Sequence, residues 1–124
     1  PENKEYSMIY GKFGISYFTE GESDPDTGSE GYVLHQNYPN PFYKNSSPFT
    51  EIRFESDKAV IYKLTIFNSI GQKIISFEEM AEEGTNYVKW KGTNHRGSEC
   101  ASGLYFYHLK IDGKQFMKKL MLLK

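Results

Sequence analysis

The predicted fold rests first on the C-terminal segment, which consists of Leu104 to Ile111 (LYFYHLKI), Asp112-Gly113 and Lys114 to Leu123 (KQFMKKLMLL). Two alternating apolar runs flank the Asp-Gly dipeptide, which best tolerates the positive φ angles of a two-residue turn. The stretch is therefore predicted to be an antiparallel hairpin. Because side chains alternate between the two faces of a strand, either Leu120 and Leu122 or Met121 and Leu123 should close the hydrophobic core.

Short strand patterns precede this hairpin and are separated by turn-forming residues. Apolar residues alternate within Glu51 to Glu55 and Val60 to Phe67, and further strands are expected at Gln72 to Glu78 and Asn86 to Lys91. No segment shows the apolar period of an amphipathic helix. Closely spaced strands without helices predict an all-β protein, an antiparallel β-sandwich of about seven strands.

A proline-containing motif stands before these strands and consists of Asn37, Tyr38, Pro39, Asn40, Pro41 and Phe42. Each proline fixes its own φ and keeps the preceding residue out of the helical region, so the motif is predicted to be extended. Neither proline can donate to a central ladder, which favours a rigid edge segment at the start of the sandwich. The other interpretation is a proline-rich ligand for an aromatic groove.

The N-terminal quarter of the chain differs in composition. Residues 6–18 are predicted to be extended with interruptions at Gly11 and Gly14, and we interpret residues 1–18 as the end of a preceding cargo domain or as an extra strand. Residues 19–31 contain no large apolar side chain, so burial cannot offset their ordering entropy. We therefore predict an acidic flexible linker at 19–32 and a domain at 33–124. Oxygen ligands at 24–30 are spaced as in a calcium loop but lack its terminal bidentate glutamate, which favours a solvated acidic linker, and Ca²⁺ binding by these residues stays open.

Charge and composition exclude several classes of protein. The chain has 124 residues and a net charge of −1. Residues 1–32 hold seven acids against two bases and residues 33–124 hold nine acids against thirteen bases, giving −5 and +4. The net charge of +4 on residues 33–124 is too small and too dispersed for a nucleic-acid-binding protein. It is compatible with docking on an acidic protein or an anionic lipid surface. No apolar run approaches the roughly 20 residues that span a bilayer, so the chain is not expected to be membrane-spanning.

The sequence shows no catalytic or metal-binding constellation. A lone cysteine, Cys100, excludes an internal disulfide framework and a cysteine-based zinc cluster, and we interpret it as a buried, inert thiol. The histidines at 35, 95 and 108 are far apart and have no paired ligand spacing. We therefore predict that the protein is not an enzyme and that it has neither a cofactor nor a metal centre. The chain begins with Pro1 rather than Met, so we expect further sequence upstream.

Five sequence blocks together resemble a known family, and they occur in the family's order: Leu34–Phe42, Leu64–Lys73, Val88–Asn94, Ala101–Tyr107 and Lys119–Lys124. Through them the chain is similar to the C-terminal sorting domains, type A, of the type IX (Por) secretion system of Bacteroidetes and relatives. The resemblance covers residues 33–124. It implies an immunoglobulin-like sandwich, related to a domain of flagellar hook-capping proteins.

The resemblance also implies a function. It implies a non-catalytic signal that directs a covalently linked upstream cargo from the periplasm across the outer membrane. The implied partners are the type IX translocon, an outer-membrane shuttle protein and a surface sortase that removes the domain. The implied localisation is secretion or the cell surface.

Site residues follow from the same resemblance. It places recognition by the export machinery at Gly103, Tyr105, Lys118, Lys119, Leu120, Leu122 and Lys124. An apolar strand flanked by lysines can add to a partner's sheet edge, with backbone bonds giving affinity and lysines giving register. The cleavage or hinge region is expected within the linker, at Gly28, Ser29, Glu30 and Gly31.

Two other functions stay open at this point. The first is a structural or adhesive module that is retained in a surface protein. The second is a carbohydrate-binding accessory domain of a secreted hydrolase. The carbohydrate-binding function requires a row of exposed aromatic side chains on one sheet face. Val88 and Trp90 share one side of their strand, so Trp90 is expected to pack in the core instead of forming such a platform.

Overall fold

The computed structural model describes residues 28, 29 and 31–124, and the regular elements there are all β-strands. The strands are β1 (Gly28–Ser29), β2 (Tyr32–Leu34), β3 (Phe42–Tyr43), β4 (Thr50–Ser56), β5 (Val60–Asn68), β6 (Lys73–Ala81), β7 (Gly84–Trp90), β8 (Gly103–Ile111) and β9 (Lys114–Leu123).

Two sheets form the sandwich. A four-stranded sheet has the order β1-β2-β4-β7, and a five-stranded sheet has the order β3-β9-β8-β5-β6. Seven of the nine strands in the described residues have three or more residues, so the predicted all-β sandwich of about seven strands is confirmed. The pairings are antiparallel except that of β3 with β9, which is parallel.

The predicted hairpin is β8 and β9, paired from Gly103↔Leu122 to Ile111↔Lys114. Asp112 has φ 51° and Gly113 has φ 74°, so both turn residues adopt the left-handed conformation that a two-residue hairpin requires. Leu120 and Leu122 are buried, whereas the side chains between them in sequence lie on the other face. The structure thus settles which alternate residues of β9 close the core.

The core lies between the two inner sheet faces, and aromatic rings fill its end near β3. Trp90 is 1% exposed, which confirms the prediction that its indole is a core group. Its ring centroid lies 5.4 Å from that of Tyr105 and 6.3 Å from that of Phe42. The indole Nε1 donates to Thr93 O at 2.8 Å, so its polar atom is satisfied despite burial.

The sandwich begins earlier in the chain than predicted. Tyr32 is 2% exposed and its hydroxyl donates to Asp112 Oδ2 at 2.8 Å, while Gly28 and Ser29 pair with β2. The predicted linker at 19–32 is therefore wrong at its C-terminal end, because Tyr32 alternates with buried Leu34 as a core residue. Residues 1–27 lie outside the described residues, so the expectations for 1–18 and for the rest of the linker stay predictions.

Candidate recognition site

The last part of β9 is held along its outer edge by the proline-containing motif. Gln36 Nε2 donates to Lys119 O at 2.6 Å, and the Met121 backbone N–H donates to Asn40 Oδ1 at 3.0 Å. Beyond these bonds, β3 pairs with Leu122 and Leu123. We call residues 36–44 the clamp. Since the clamp already satisfies this edge, a partner can add a strand there only by displacing it.

Buried hydrogen bonds around Asn37 give the clamp its shape. The Asn37 side chain is 2% exposed, and its Nδ2 donates to Thr50 Oγ1 at 2.9 Å and to Pro39 O at 3.2 Å. Its backbone N–H donates to the Tyr107 hydroxyl at 2.9 Å, which itself donates to His35 O at 2.8 Å. These bonds connect the clamp to both sheets, because Thr50 belongs to β4 and Tyr107 to β8.

The clamp departs from the predicted extended conformation. The peptide bonds Tyr38-Pro39 and Asn40-Pro41 are both cis, and the chain bends at residues 39–41. Only Tyr38, which bridges to Glu51, and the two residues of β3 are paired as in a sheet. The bend turns the Pro39 carbonyl towards Asn37 and Thr50, whose side chains donate to it.

The end of β9 is also tied to the neighbouring loop 92–102. The Lys124 backbone N–H donates to Ser102 Oγ at 3.0 Å, and the Lys44 N–H donates to Leu123 O at 2.9 Å. The Lys44 ammonium contacts Glu99 Oε1 at 3.3 Å and donates to the backbone carbonyl of Lys91. The final residues are therefore packed into the domain on both sides.

The three lysines predicted for recognition do not form one stripe. Lys118 is opposite buried Tyr107 in the β8–β9 register, so it lies on the core side of β9 and is half-buried. Lys119 is opposite Phe106 on the outer face, and Lys124 follows the strand; both are exposed. A folded domain thus presents Lys119 and Lys124 on its surface, and Lys118 lies on the opposite side of the strand from Lys119.

The apolar residues predicted for recognition lie in the core. Tyr105, Leu120 and Leu122 are 5%, 1% and 0% exposed. The Tyr105 hydroxyl donates to Ala101 O at 2.6 Å, and burial raises the pKa of this phenol. Gly103 opens β8 with φ 156°, a backbone conformation that residues with side chains rarely adopt. In the folded domain these four residues shape the end of the sandwich.

The Cys100 side chain lies beside this region. It is 7% exposed, and burial raises the pKa of its thiol despite the hydrogen bond with Tyr105. A thiol with a raised pKa holds little of the reactive thiolate near neutral pH. Its environment agrees with the interpretation of an inert, packed cysteine.

The predicted hinge residues lie where the chain enters the sandwich. Gly28 pairs with Val33 and Ser29 with Tyr32, while Glu30 lies outside the described residues. Gly31 has φ 95°, and a Cβ at this position would collide with the Asp57 carboxylate. Gly28 and Ser29 therefore form the edge strand of the four-stranded sheet and Gly31 belongs to the turn that follows it, and their role in cleavage stays a prediction.

Metal and membrane features were sought in residues 28, 29 and 31–124. No group of three or more His, Cys, Asp or Glu side chains there could hold a metal ion. The same residues contain no helix with the length and apolar character to cross a membrane. Most of the calcium-like stretch at 24–30 lies outside them, so that question stays open.

The clamp is the main feature of the site that sequence reasoning missed. Gln36 and Lys119 are 83 residues apart, and Asn40 and Met121 are 81 apart. The sequence blocks containing the two ends were recognised separately, and nothing local indicated that they touch. The available signal was that Asn37 and Asn40 supply side-chain amides in a motif whose prolines lack backbone donors.

Comparison with known proteins identifies the family. Residues 37–123 match the family described as CHU_C Type IX secretion signal domain, and this match covers the clamp from Asn37 onward, most of the core and the terminal strand. The chain therefore belongs to the family of type IX secretion signal domains, as its sequence blocks predicted. A signal of this family implies interaction with type IX machinery, attachment to a cargo and export to the cell surface or medium.

Solved structures agree on the fold. Dimeric latent PorU from Porphyromonas gingivalis is similar with a TM-score of 0.61 and 19% identity, over 77% of this chain and 10% of that one. PorZ, a surface component of the type IX secretion system of the same organism, is similar with a TM-score of 0.54 and 19% identity, over 73% of this chain and 11% of that one. The chain thus spans about a tenth of each structure, and the likeness concerns the immunoglobulin-like fold. No curated protein matches the chain.

Proposed function

We propose that this domain is a non-catalytic passport for a covalently linked upstream cargo, which it directs from the periplasm across the outer membrane. The observation that carries the proposal is the family match over residues 37–123, a range that includes the clamp from Asn37 onward and the terminal strand. The proposed partners are the type IX translocon, an outer-membrane shuttle protein and a surface sortase.

The surface of the folded domain supports recognition through side chains. Lys119 and Lys124 are exposed, and the backbone edge beside Lys119 is occupied by Gln36 and Asn40. We infer that the machinery reads the two exposed lysines on a folded domain. Gly103, Tyr105, Leu120 and Leu122 then act by building the end of the sandwich that holds these lysines in place, and Lys118 acts from the other side of β9.

Removal of the domain is the second step of the proposal. We propose that the sortase cuts within the predicted linker at 19–32 and joins the cargo to the cell surface. Because Gly28 and Ser29 pair with β2, cleavage between Gly28 and Gly31 requires β1 to leave the sheet. This geometry favours a scissile bond on the N-terminal side of Gly28.

Export of a reporter tests the first step. The whole chain is fused behind a reporter with a signal peptide and expressed in a host with a type IX system. We expect the native fusion to reach the surface or medium and the Lys119→Ala/Lys124→Ala fusion to stay in the periplasm in folded form. A Lys89→Ala/Lys91→Ala fusion, altered at exposed lysines of the other sheet, is the matched control and should be exported.

The results separate the open functions. Retention of the native fusion in the periplasm contradicts the proposed signal. Equal export of all three fusions contradicts the inference that the machinery reads Lys119 and Lys124. Intact mass of the exported reporter then distinguishes a removed passport from a retained structural or adhesive module. If the exported reporter keeps the mass of the whole domain, the sortase step is wrong.

The carbohydrate-binding alternative lacks its expected surface. Among the described residues, the large exposed aromatic side chains are Tyr38, Tyr43 and Tyr87. Tyr43 is in β3 of the five-stranded sheet and Tyr87 is in β7 of the four-stranded sheet, so they do not share a face. Trp90, the strongest candidate for stacking on a sugar, is in the core.

A further inference from the structure

β6 forms an open edge of the five-stranded sheet, at the side opposite the clamp. The order β3-β9-β8-β5-β6 places β5 on one side of β6, and among the described residues no strand lies on the other side. Loop 92–102 covers only the start of that side, where the His95 backbone N–H donates to Ile74 O at 3.0 Å. The remaining edge, residues 75–81, is as long as an ordinary strand of about 5 to 6 residues and presents backbone groups that can pair with a further strand.

The core is incompletely covered along this edge. In the β5–β6 register Ile75 is opposite Ile66 and Phe77 is opposite Leu64, so both β6 side chains lie on the core side of the sheet. Leu64 and Ile66 are fully buried, whereas Ile75 and Phe77 are only half-buried because no described strand lies beyond them. A strand added beside β6 would therefore bury further apolar surface as well as pair with the backbone.

Acidic side chains determine which strand can be added. Exposed glutamates lie in β6 and in the segment that leads to β7: Glu78, Glu79, Glu82 and Glu83. The ion pairs found among the described residues do not involve them. Glu79 is opposite Tyr62 on the core side of the sheet, so an added strand would cover its carboxylate and must supply a lysine or arginine there.

The same acids disfavour a second copy of this chain as the occupant. Two paired β6 edges would bring Glu78 and Glu79 of both copies together along one short contact, and like charges at an edge oppose pairing. Lys63 of β5 is opposite Glu78, yet the edge as a whole keeps an acidic surplus. Charge complementarity therefore favours a basic partner.

We propose that residues 75–81 of β6 bind an extended segment of a partner protein, which adds to the sheet as an antiparallel strand. The segment presents apolar side chains opposite Ile75 and Phe77 and lysine or arginine opposite Glu78 and Glu79. In the antiparallel direction its basic residues precede its apolar ones. The contact lies at the opposite edge of the sheet from the clamp, so it does not depend on the proposed export function.

Binding of a synthetic peptide to the whole chain tests the proposal. The probe is a fluorescently labelled peptide in which two lysines are followed by alternating valine and threonine, and fluorescence anisotropy measures its affinity at low salt. We expect saturable binding that Glu78→Gln/Glu79→Gln weakens several-fold. Glu51→Gln/Asp57→Asn, which removes the same charge from β4 and the turn after it, is the matched control and should bind as the native chain does. A peptide with glutamates in place of the lysines should not bind.

Backbone pairing has its own readouts. Methylation of the peptide nitrogens that face β6 removes donors without changing side chains and should abolish binding, whereas methylation in the alternate frame should not. The bound peptide should slow hydrogen exchange of amides within residues 75–81 several-fold and leave those of β7, an edge of the other sheet, unchanged. The proposal is overturned if the native peptide does not bind, if it binds after methylation in either frame, or if it protects β7 instead of β6. Equal binding to the Glu78→Gln/Glu79→Gln variant also overturns it, because the acids would then only keep β6 edges apart.

Discussion

The outer faces of the two sheets differ, although both inner faces contribute buried apolar side chains to one core. In the four-stranded sheet, β4 turns Glu51, Arg53 and Glu55 outward, and their partners in β7 are Lys89, Tyr87 and Thr85. In the five-stranded sheet, β8 turns Leu104 and Phe106 outward and β9 turns Met117 and Met121 outward.

This difference indicates which of the two outer sheet faces is suited to solvent exposure. A sheet with one solvated face alternates apolar and polar residues, whereas a strand covered on both faces is apolar in both phases. β4 follows the first rule, whereas residues 104–107 of β8 and 120–123 of β9 follow the second. The polar outer face of the four-stranded sheet can therefore remain in contact with solvent. Burial of the apolar outer face of the five-stranded sheet would stabilise the domain more.

The largest effect is expected where both sheets share the core. Trp90→Ala removes an indole of β7 that packs against Tyr105 of β8 and Phe42 of β3, and it should lower the free energy of unfolding by about 3 to 5 kcal/mol. Chemical denaturation of the whole chain measures this change. Tyr87→Ala in the same strand, on the outer face, should change stability by less than about 0.5 kcal/mol. Similar losses for both variants would show that the inner and outer faces of β7 are not distinct environments.

The next effect concerns the bonds that join the two sheets through the clamp. Asn37→Ala removes the donor to the Thr50 hydroxyl and one of the two side-chain donors to the Pro39 carbonyl, and it should cost about 1 to 3 kcal/mol in unfolding free energy. Exposed Asn45→Ala, in the loop that follows β3, is the matched control and should be near neutral. Hydrogen exchange should also show faster exchange of the Met121 amide in the Asn37 variant. Unchanged exchange at Met121 would mean that the clamp does not hold β9.

The comparison of the outer faces is tested directly by Phe106→Ala and Tyr87→Ala. Phe106 is half-buried and its truncation loses apolar area, so we expect a loss of about 1 to 2 kcal/mol. Tyr87 is 55% exposed and should lose little. Equal unfolding free energies for the two variants would contradict the claim that the outer face of the five-stranded sheet contributes to stability.

Much of the fold was predictable because its determinants are local. The Asp112-Gly113 turn and the alternation around it determined the hairpin, and the alternation of Val88 and Trp90 placed the indole in the core. The acidic residues before Tyr32 make the local sequence typical of a linker, although Tyr32 is a core residue. Its core position depends on Asp112, which is 80 residues away and cannot be recognised from a local window.

The recognition site was less predictable for the same reason. The terminal residues could be identified as a block, but the clamp bonds that occupy their edge join residues more than 80 positions apart. The outer face of β8 and β9 does have a local signature in the sequence. The runs at 104–107 and 120–123 are apolar in both phases, a pattern typical of strands covered on both sides.

The smallest effect is a difference in pH dependence between the two outer faces. Burial lowers the pKa of His108 below its ordinary value of 6.5, against an opposing hydrogen bond from Gln115 and with a smaller contribution from Lys110. The folded state therefore takes up a proton less readily than the unfolded chain, and stability should fall as pH decreases below 6.5. The Glu55 carboxylate on the polar face has its pKa lowered from 4.5, chiefly by the Thr85 hydroxyl, so its contribution to stability is lost only below that pH.

Unfolding free energies between pH 7.5 and 5.5 should decline in the native chain and be flatter in His108→Gln, whereas Thr85→Val should leave the pH profile in that range unchanged. Parallel pH profiles for the native chain and His108→Gln would show that His108 is not sheltered on the apolar face.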